Sequence, residues 1–174
     1  MMCRLFIFCA LWGTSMTAAA VGVGDRAPNK TLKDQHGTEV VLESLWARGI
    51  VVLYFYPKDD TPGCTAEAKG FRDDYEDFLA AGAQVVGVSS DSVDSHRRFA
   101  QKYRLPFTLL ADPDGGLRRA FAVPSTLGVL AGRVTYVIDT KGVVRMVFNS
   151  QLRAKRHIVE ALQTVQYLAN EAAS

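Results

Sequence analysis

The chain contains 174 residues, of which 48% are hydrophobic and 22% are charged, and its formal net charge is +2. A chain of this length can bury a hydrophobic core in one domain without disulfides or metal ions. Because the net charge is so small, we expect no nucleic-acid partner. Three basic residues stand close together at Arg153, Lys155 and Arg156, and we interpret them as the solvated start of a helix.

The N-terminal segment differs in composition from the rest of the chain. One positive charge at Arg4 precedes an apolar run over residues 5–12, and small residues stand before Val21. This layout is typical of a secretory signal peptide, and the apolar run is too short for a membrane span. We therefore expect a signal or targeting peptide over residues 1–20 and a single domain over residues 21–174. Cleavage would export the domain to the periplasm or an organelle lumen, whereas an uncleaved chain would be cytoplasmic.

The cysteines divide in the same way. The chain has three, and two of them, Cys3 and Cys9, lie in the expected leader, so that cleavage would leave Cys64 alone. A single cysteine cannot form an intramolecular disulfide. Phe8 is too bulky to precede a lipidated cysteine, and we therefore expect no lipid anchor and no stable attachment to a membrane.

Strands and helices alternate along the rest of the chain. After an irregular segment over residues 22–33, strands are predicted over residues 40–42, 50–56, 84–89, 107–111, 133–138 and 143–148. Helices are predicted from Thr61 to Gly82, with Phe71, Tyr75, Phe78 and Leu79 on the buried face, and over residues 92–103, 114–121 and 154–168. This order, closed by an antiparallel hairpin and a last helix, predicts an α/β domain whose central mixed sheet has helices on both faces.

Cys64 has the most informative surroundings. Thr61, Pro62 and Gly63 turn the chain from a buried strand into a helix, so that the thiol lies in the first helical turn. Free backbone N–H groups and the positive end of the helix dipole favour a thiolate there. Thr61 is suited to cap the helix, with Pro62 in its first position, and its hydroxyl could also hold a polar substrate against the sulfur.

Two further groups are expected near this sulfur. The N–H groups of Gly63 and Cys64 should point into the same space, as the donors of an oxyanion-binding site do. A thiolate is further stabilised by a nearby cation. Arg133 begins a strand that we expect beside the central strand, and its guanidinium is therefore predicted to reach Cys64.

Residues 55–67 read Phe-Tyr-Pro-Lys-Asp-Asp-Thr-Pro-Gly-Cys-Thr-Ala-Glu and resemble the active-site signature of the peroxiredoxins. Within that family they are similar to the peroxiredoxin Q group, also called bacterioferritin comigratory protein. Further matching segments lie at residues 71–73, 86–89, 105–110 and 132–139, so that the resemblance covers roughly residues 22–168. It implies a thioredoxin-like fold and the reduction of hydrogen peroxide or organic hydroperoxides.

The resemblance also implies roles for individual residues. Cys64 corresponds to the peroxidatic cysteine, Thr61 to the threonine that orients the peroxide, Pro57 to the proline that shields the pocket, and Arg133 to the arginine that supports thiolate and peroxide. The Cys64 thiolate would attack one peroxide oxygen, giving a sulfenic acid and water or an alcohol. Glu67, three residues after Cys64, is expected to fix Arg133 or the helix start through a hydrogen bond. The loop over residues 125–132 is expected to set the width of the pocket.

One feature departs from the group. Many of its members carry a resolving cysteine five residues after the peroxidatic one or on the next helix, and this chain has Lys69 and Ala100 there. We therefore expect a one-cysteine enzyme that an external thiol recycles, namely thioredoxin, glutaredoxin or glutathione. The group often works as a monomer, which we also expect here. Lys69 itself is interpreted as an exposed helix residue paired with Asp73.

Other functions compete with this one. A redox sensor or adaptor, in which oxidation of Cys64 changes the binding of a partner without turnover, remains an alternative. A thiol–disulfide oxidoreductase would need a C-x-x-C motif, and a cysteine hydrolase would need a histidine base. His36, His96 and His157 fit no such arrangement and no metal-binding spacing, and we interpret all three as surface residues. We expect no cofactor and no metal ion.

Overall fold

A computed structural model describes residues 20–126 and 130–173. The expected leader, apart from Ala20, and with it Cys3 and Cys9, lies outside the described residues. So do three residues of the loop predicted to set the pocket width. Within the described ranges, no helix combines the length and the apolar character that a membrane span requires.

The described residues form strands and helices in nearly the predicted order. The strands are β1 (Thr31–Asp34), β2 (Glu39–Val41), β3 (Ile50–Phe55), β4 (Ala83–Ser89), β5 (Thr108–Ala111), β6 (Ser125–Thr126), β7 (Leu130–Ala131), β8 (Val134–Ile138) and β9 (Val144–Asn149). The helices are α1 (Leu42–Trp46), α2 (Pro62–Asp73), α3 (Tyr75–Ala80), α4 (Val93–Tyr103), α5 (Gly116–Ala120) and α6 (Ala154–Ala173). The segment predicted to be irregular contains β1, which pairs with both β2 and β5.

Seven of these strands form one mixed sheet in the order β2-β1-β5-β4-β3-β8-β9. β3, β4 and β5 are parallel to one another, and β8 runs antiparallel to β3. Side chains of β3 alternate between two cores: Val52 and Tyr54 pack with α2, α3, α4 and α6, while Val51 and Phe55 pack with α1 and α5. The predicted mixed sheet with helices on both faces is therefore confirmed.

The helix predicted to run unbroken to Gly82 is wrong in one respect. It consists of α2 and α3, because the backbone leaves helical geometry at Asp74, where φ is −99° and ψ is 11°. Because of this break, α3 is rotated about its axis relative to a continuous helix from Pro62 to Ala80. Phe78 is consequently fully buried, whereas Leu79, predicted to face the core, is 44% exposed.

Candidate active site

Cys64 lies in the first turn of α2, directly after the loop that follows β3. Thr61 occupies the N-cap position in an extended conformation, with φ −82° and ψ 148°, and Pro62 is the first helical residue, as predicted. The Cys64 side chain is almost completely buried, with 2% of its surface exposed. A nucleophilic sulfur therefore sits at the positive end of a twelve-residue helix and out of bulk water.

Thr61 stands at the predicted N-cap position, but it does not cap the helix with its side chain. Its side chain makes no capping hydrogen bond to the helix, and its hydroxyl instead donates to the carbonyl oxygen of Lys58 at 3.1 Å. This bond ties the loop to itself and turns the hydroxyl away from the first-turn amides. The oxygen of Thr61 keeps lone pairs with which it can accept a hydrogen bond from a bound substrate.

Arg133 is the cation that contacts the sulfur. It stands directly before β8, whose first residue, Val134, is paired with Phe55 at the end of β3. The antiparallel register thus brings Arg133 to the end of the sheet where β3 leads into the Cys64 loop. Its Nη2 donates to Cys64 Sγ at 3.4 Å, and the side chain is buried. The predicted contact between Arg133 and Cys64 is present.

Glu67 holds the other side of the same guanidinium. It lies one helical turn after Cys64, is fully buried, and its Oε2 accepts a hydrogen bond from Arg133 Nη1, as predicted. Burial raises the pKa of the Glu67 carboxyl to about 8, while the charge and hydrogen bond of Arg133 act in the opposite direction. The second oxygen, Oε1, has no hydrogen-bond partner.

His157 lies behind Glu67 and is completely buried, so its predicted surface position is wrong. Its Nε2 is 2.8 Å from the carbonyl oxygen of Ser150, and its Nδ1 is 2.8 Å from Thr135 Oγ1. Since a carbonyl oxygen only accepts, Nε2 carries the hydrogen and Nδ1 accepts from the hydroxyl of Thr135. Burial, with Arg133 adding to its effect, lowers the pKa of His157 to about 4, which keeps the ring neutral. Nδ1 is 3.6 Å from Glu67 Oε1.

His96 is the second histidine whose predicted surface position is wrong, whereas His36 is exposed as predicted. Its Nδ1 is 2.9 Å from Asp59 Oδ2. The same carboxylate accepts hydrogen bonds from the hydroxyls of Tyr56 and Ser95, both at 2.8 Å. Asp59 belongs to the loop between β3 and α2, and this buried network therefore fastens the loop that carries Thr61 to α4.

Arg118 is a residue near the site that sequence reasoning missed. From α5 its Nη2 donates to the carbonyl oxygen of Tyr56 at 2.9 Å, and its Nη1 donates to that of Gly132 at 2.8 Å. It thus joins the residue before Pro57 to the residue before Arg133. Burial lowers the pKa of Arg118. The sequence predicted that Arg118 lies in a short helix, but it gave no signal for the direction of the side chain.

Two other predicted residues occupy less central positions. Pro57 follows β3 directly and is half-buried. Lys69 is exposed as predicted, but it does not form the predicted ion pair with Asp73. The Asp73 carboxylate instead forms a salt bridge of 2.7 Å with Arg72, and Lys69 Nζ lies 5.1 Å from the centre of the Tyr103 ring.

The arrangement favours attack by sulfur on an electrophile. The buried Cys64 sulfur receives a hydrogen bond from the Arg133 guanidinium, whose orientation the buried Glu67 carboxyl fixes. Such a preorganised charge acts most strongly where water is excluded. Among residues 20–126 and 130–173, no cluster of three or more His, Cys, Asp and Glu side chains is placed to bind a metal ion. The chemistry that the described site offers is that of the thiol.

Comparisons with known proteins show what the chain is similar to. The model of the AhpC/TSA family matches residues 23–147. The chain is 52% identical over 151 residues to the chloroplastic peroxiredoxin Q of Sedum lineare, covering 86% of this chain and 81% of that protein. It is 50% identical over 156 residues to the chloroplastic peroxiredoxin Q of Triticum aestivum, covering 89% of this chain and 71% of that protein.

A solved structure supports the same assignment. The crystal structure of peroxidoxin BcpB from Mycobacterium tuberculosis superposes with a TM-score of 0.79 at 38% identity, covering 85% of this chain and 98% of the other. The thioredoxin-like fold that the sequence resemblance implied is thereby confirmed. Since the family model matches most of the chain and these relatives share about half of its residues, the chain belongs to the AhpC/TSA family, in its peroxiredoxin Q group.

Proposed function

We propose that this thiol-dependent peroxidase works with one cysteine, Cys64, whose sulfenic acid is reduced by an external thiol. Membership of the family establishes the peroxidase activity on hydroperoxides. The observation that carries the proposal is the hydrogen bond from Arg133 to the buried Cys64 sulfur, in a site where Lys69 and Ala100 stand at the positions of a resolving cysteine. Among the described residues, Cys64 is the single cysteine.

The reaction begins with the thiolate. Cys64 Sγ attacks one oxygen of hydrogen peroxide or an organic hydroperoxide, an S–O bond forms, and the O–O bond breaks. The sulfur loses two electrons to the peroxide, and the leaving oxygen takes up a proton to become water or an alcohol. Arg133 and the first-turn amides of α2 stabilise the negative charge that moves onto that oxygen. Thr61 accepts a hydrogen bond from the peroxide, and Pro57 covers the pocket.

Lys69 and Ala100, at the positions where related enzymes carry a resolving cysteine, support a cycle that an external thiol closes. A thiol of thioredoxin, glutaredoxin or glutathione attacks the sulfenic acid, releases water and forms a mixed disulfide, which a second thiol then reduces. Cys64 is 2% exposed, and the external thiol therefore reaches it only when the first turn of α2 opens. We propose a monomer as the working unit.

Mass spectrometry tests the one-cysteine cycle. The protein over residues 21–174 is treated with one equivalent of hydrogen peroxide, and we expect a sulfenic acid at Cys64 without any intramolecular disulfide. The Lys69→Cys variant is the positive control, since it restores a partner five residues later. An intramolecular disulfide in the full wild-type chain, through Cys3 or Cys9, would overturn the one-cysteine proposal.

A coupled assay tests the reductant. Peroxide consumption is followed with thioredoxin and its reductase, and separately with glutathione and glutaredoxin, using Cys64→Ser as the inactive control. At least one system should sustain many turnovers. A single turnover with every reductant would instead favour the alternative function, a redox sensor that signals through oxidised Cys64.

We also propose that residues 1–20 direct the protein to a compartment outside the cytosol, either the periplasm or the lumen of an organelle. The layout of a charged residue, an apolar run and small residues supports this, and two relatives with about half identical residues are named as chloroplastic. N-terminal sequencing of the mature protein from its host should begin near Val21. An intact Met1 in the mature protein would contradict the proposal.

A further inference from the structure

Arg133 is shared between two acidic groups in one buried cluster. Its Nη2 donates to Cys64 Sγ at 3.4 Å and its Nη1 donates to Glu67 Oε2. Arg133 is 4% exposed and Glu67 is 0% exposed, so that water contributes little to solvating either charge. One guanidinium balances one negative charge. If the thiolate and the Glu67 carboxylate were both ionised, the cluster would carry an uncompensated negative charge in a medium of low dielectric constant.

The hydrogen bonds around Glu67 indicate which group is neutral. Oε2 has its donor in Arg133, but Oε1 is buried without a hydrogen-bond partner. On α6, His157 Nδ1 lies 3.6 Å from Oε1, and this nitrogen is an acceptor that already receives the hydroxyl hydrogen of Thr135. A carboxylate oxygen facing a lone pair is unfavourable, whereas a protonated Oε1 is not. The geometry thus fits a carboxylic acid with its carbonyl oxygen on Arg133 and its hydroxyl towards His157.

The other titratable groups around Glu67 agree with this assignment. Tyr54 lies on β3 within electrostatic range of Glu67, and burial raises its pKa well above the usual value, so that it stays neutral. The His157 ring is also neutral, because its pKa is lowered. Arg133 is the one cation that hydrogen-bonds Glu67 in the described part of the chain, and burial outweighs its effect, raising the pKa of Glu67 to about 8.

We propose that Glu67 stores a proton while Cys64 is a thiolate and gives it up when Cys64 is oxidised. This inference rests on the proposed peroxidase reaction. Before the reaction, the cluster holds a thiolate, the Arg133 cation and a neutral carboxylic acid. After it, the cluster holds a neutral sulfenic acid, the same cation and a Glu67 carboxylate. The proton that the leaving oxygen needs is thereby balanced by the one that Glu67 releases, and the net charge of the buried cluster does not change.

The same device works in reverse during reduction. When the external thiol regenerates the Cys64 thiolate from the mixed disulfide, one proton is left over, and Glu67 takes it back. Arg133 keeps its position throughout the cycle, but its negatively charged partner alternates. This partner is the Cys64 thiolate in the reduced enzyme and the Glu67 carboxylate in the oxidised enzyme. Glu67 touches no reacting atom, and it therefore acts on the reaction through Arg133 as a positioning and proton-storing residue.

Infrared difference spectroscopy tests the proposal. Reduced protein is compared near neutral pH with protein oxidised by one equivalent of peroxide, after mass spectrometry has confirmed addition of one oxygen atom to Cys64. That check separates failure of this inference from failure of the peroxidase function. We expect the carbonyl stretch of one protonated carboxylic acid to disappear on oxidation and carboxylate bands to appear. Both changes should shift with isotopically labelled glutamate, be absent in Glu67→Gln and persist in Glu76→Gln, whose side chain lies away from the cluster on α3.

Proton exchange with the solvent gives an independent readout. In weak buffer with a pH indicator, oxidation of the wild type should take up no proton, while Glu67→Gln should take up one proton per oxidised Cys64. Equal proton uptake by the two proteins, or an infrared spectrum of the reduced wild type without the protonated carboxyl band, would overturn the proposal. If Glu67→Gln does not fold, the labelled wild type decides the question alone.

Discussion

Arg133 Nη2 lies 3.4 Å from Cys64 Sγ although 69 positions separate the two residues in the chain. The contact follows from sheet register, because β8 starts opposite the end of β3 and β3 leads into the loop before α2. The two residues are held by different elements that pack in the same core region. A change in either element should therefore alter the reactivity of the sulfur.

Arg133→Gln should slow the oxidation of Cys64 by about 10²–10³-fold, the usual cost of losing one preorganised donor at a developing charge. Arg133→Lys should recover part of this loss, since it keeps the charge but lacks the planar group that holds one donor on the sulfur and another on Glu67. Stopped-flow measurement of peroxide reduction under single-turnover conditions gives these rates. Arg153→Gln, at an exposed residue before α6, serves as the control and should leave the rate unchanged.

Arg118→Gln should both weaken folding and slow the reaction. Two charged hydrogen bonds to backbone carbonyls disappear, and each such bond contributes roughly 1.5–3 kcal/mol. Because these bonds join the Pro57 segment to the Arg133 segment, we expect the peroxidase rate to fall about tenfold, on the order of 1.4 kcal/mol in the barrier. Urea unfolding and steady-state kinetics measure the two effects. Arg119→Gln, exposed on the same helix, is the matched control, and an equal loss there would refute the assignment to Arg118.

The Asp59–His96 pair should be strongly coupled. The Asp59 carboxyl accepts hydrogen bonds from the hydroxyls of Tyr56 and Ser95, and one of its oxygens lies 2.9 Å from His96 Nδ1. Removal of one partner leaves a buried polar group without its hydrogen bond, which costs about 1–3 kcal/mol. A double-mutant cycle with Asp59→Asn and His96→Gln should give a coupling free energy of roughly 0.5–3 kcal/mol. Additive effects would show that the two side chains stabilise the loop independently. Asp94→Asn, which loses an exposed pair with Arg97, should change stability by less than about 1 kcal/mol.

Glu67 should make the protein less stable as the solution becomes alkaline. The ordinary pKa of a glutamate carboxyl is 4.5, and burial raises that of Glu67 to about 8 in the folded protein. The folded state therefore binds the proton more tightly, and this contribution to stability is fully present below pH 4.5 and is lost as the pH rises through about 8. Glu67→Gln carries no titrating proton, so its free energy of unfolding should stay flat where that of the wild type falls. A parallel decline in both proteins would contradict the shifted pKa.

His157 should act in the opposite direction at lower pH. Its pKa is lowered from 6.5 to about 4, and between these two pH values the unfolded chain therefore binds a proton at His157 that the folded protein does not bind. The His157 contribution is present above pH 6.5 and is lost as the pH falls through about 4. Between pH 4.5 and 6.5 the Glu67 and His157 effects offset each other, and from 6.5 to about 8 the Glu67 effect remains alone. His157→Gln should expose a decline with rising pH across the whole range from 4.5 to about 8, measurable by urea unfolding at each pH.

Elements with strong local signals were predictable from the sequence. The continuous apolar run of β3 predicts a strand that is buried on both faces. The sequence Thr61, Pro62 and Gly63 predicts a helix that starts directly after it. Even the Arg133–Cys64 contact followed from strand order. The break at Asp74 had no comparable signal, because a helical pattern continued across it and only the packing of Phe78 against the sheet chose the register of α3.

The two buried histidines show the limit of such reasoning most clearly. A histidine is stable inside a protein only if its ring nitrogens find partners, and the partners of His96 and His157 come from distant segments: Asp59 and the carbonyl of Leu110 for the first, Thr135 and Ser150 for the second. Their burial is therefore invisible in local sequence.

The sequence by itself determined that a thiol stands at a helix start, that Arg133 can reach it, and that Lys69 and Ala100 offer it no disulfide partner. These conclusions depend on residue type, order along the chain and the few ways in which strands pair. Only the tertiary structure decided which polar groups are buried together, and hence that Arg133 hydrogen-bonds both Cys64 and Glu67 and that Arg118 joins the backbone at Tyr56 to the backbone at Gly132. Burial sets the cost of each charge, and burial is a property of packing between segments far apart in the chain.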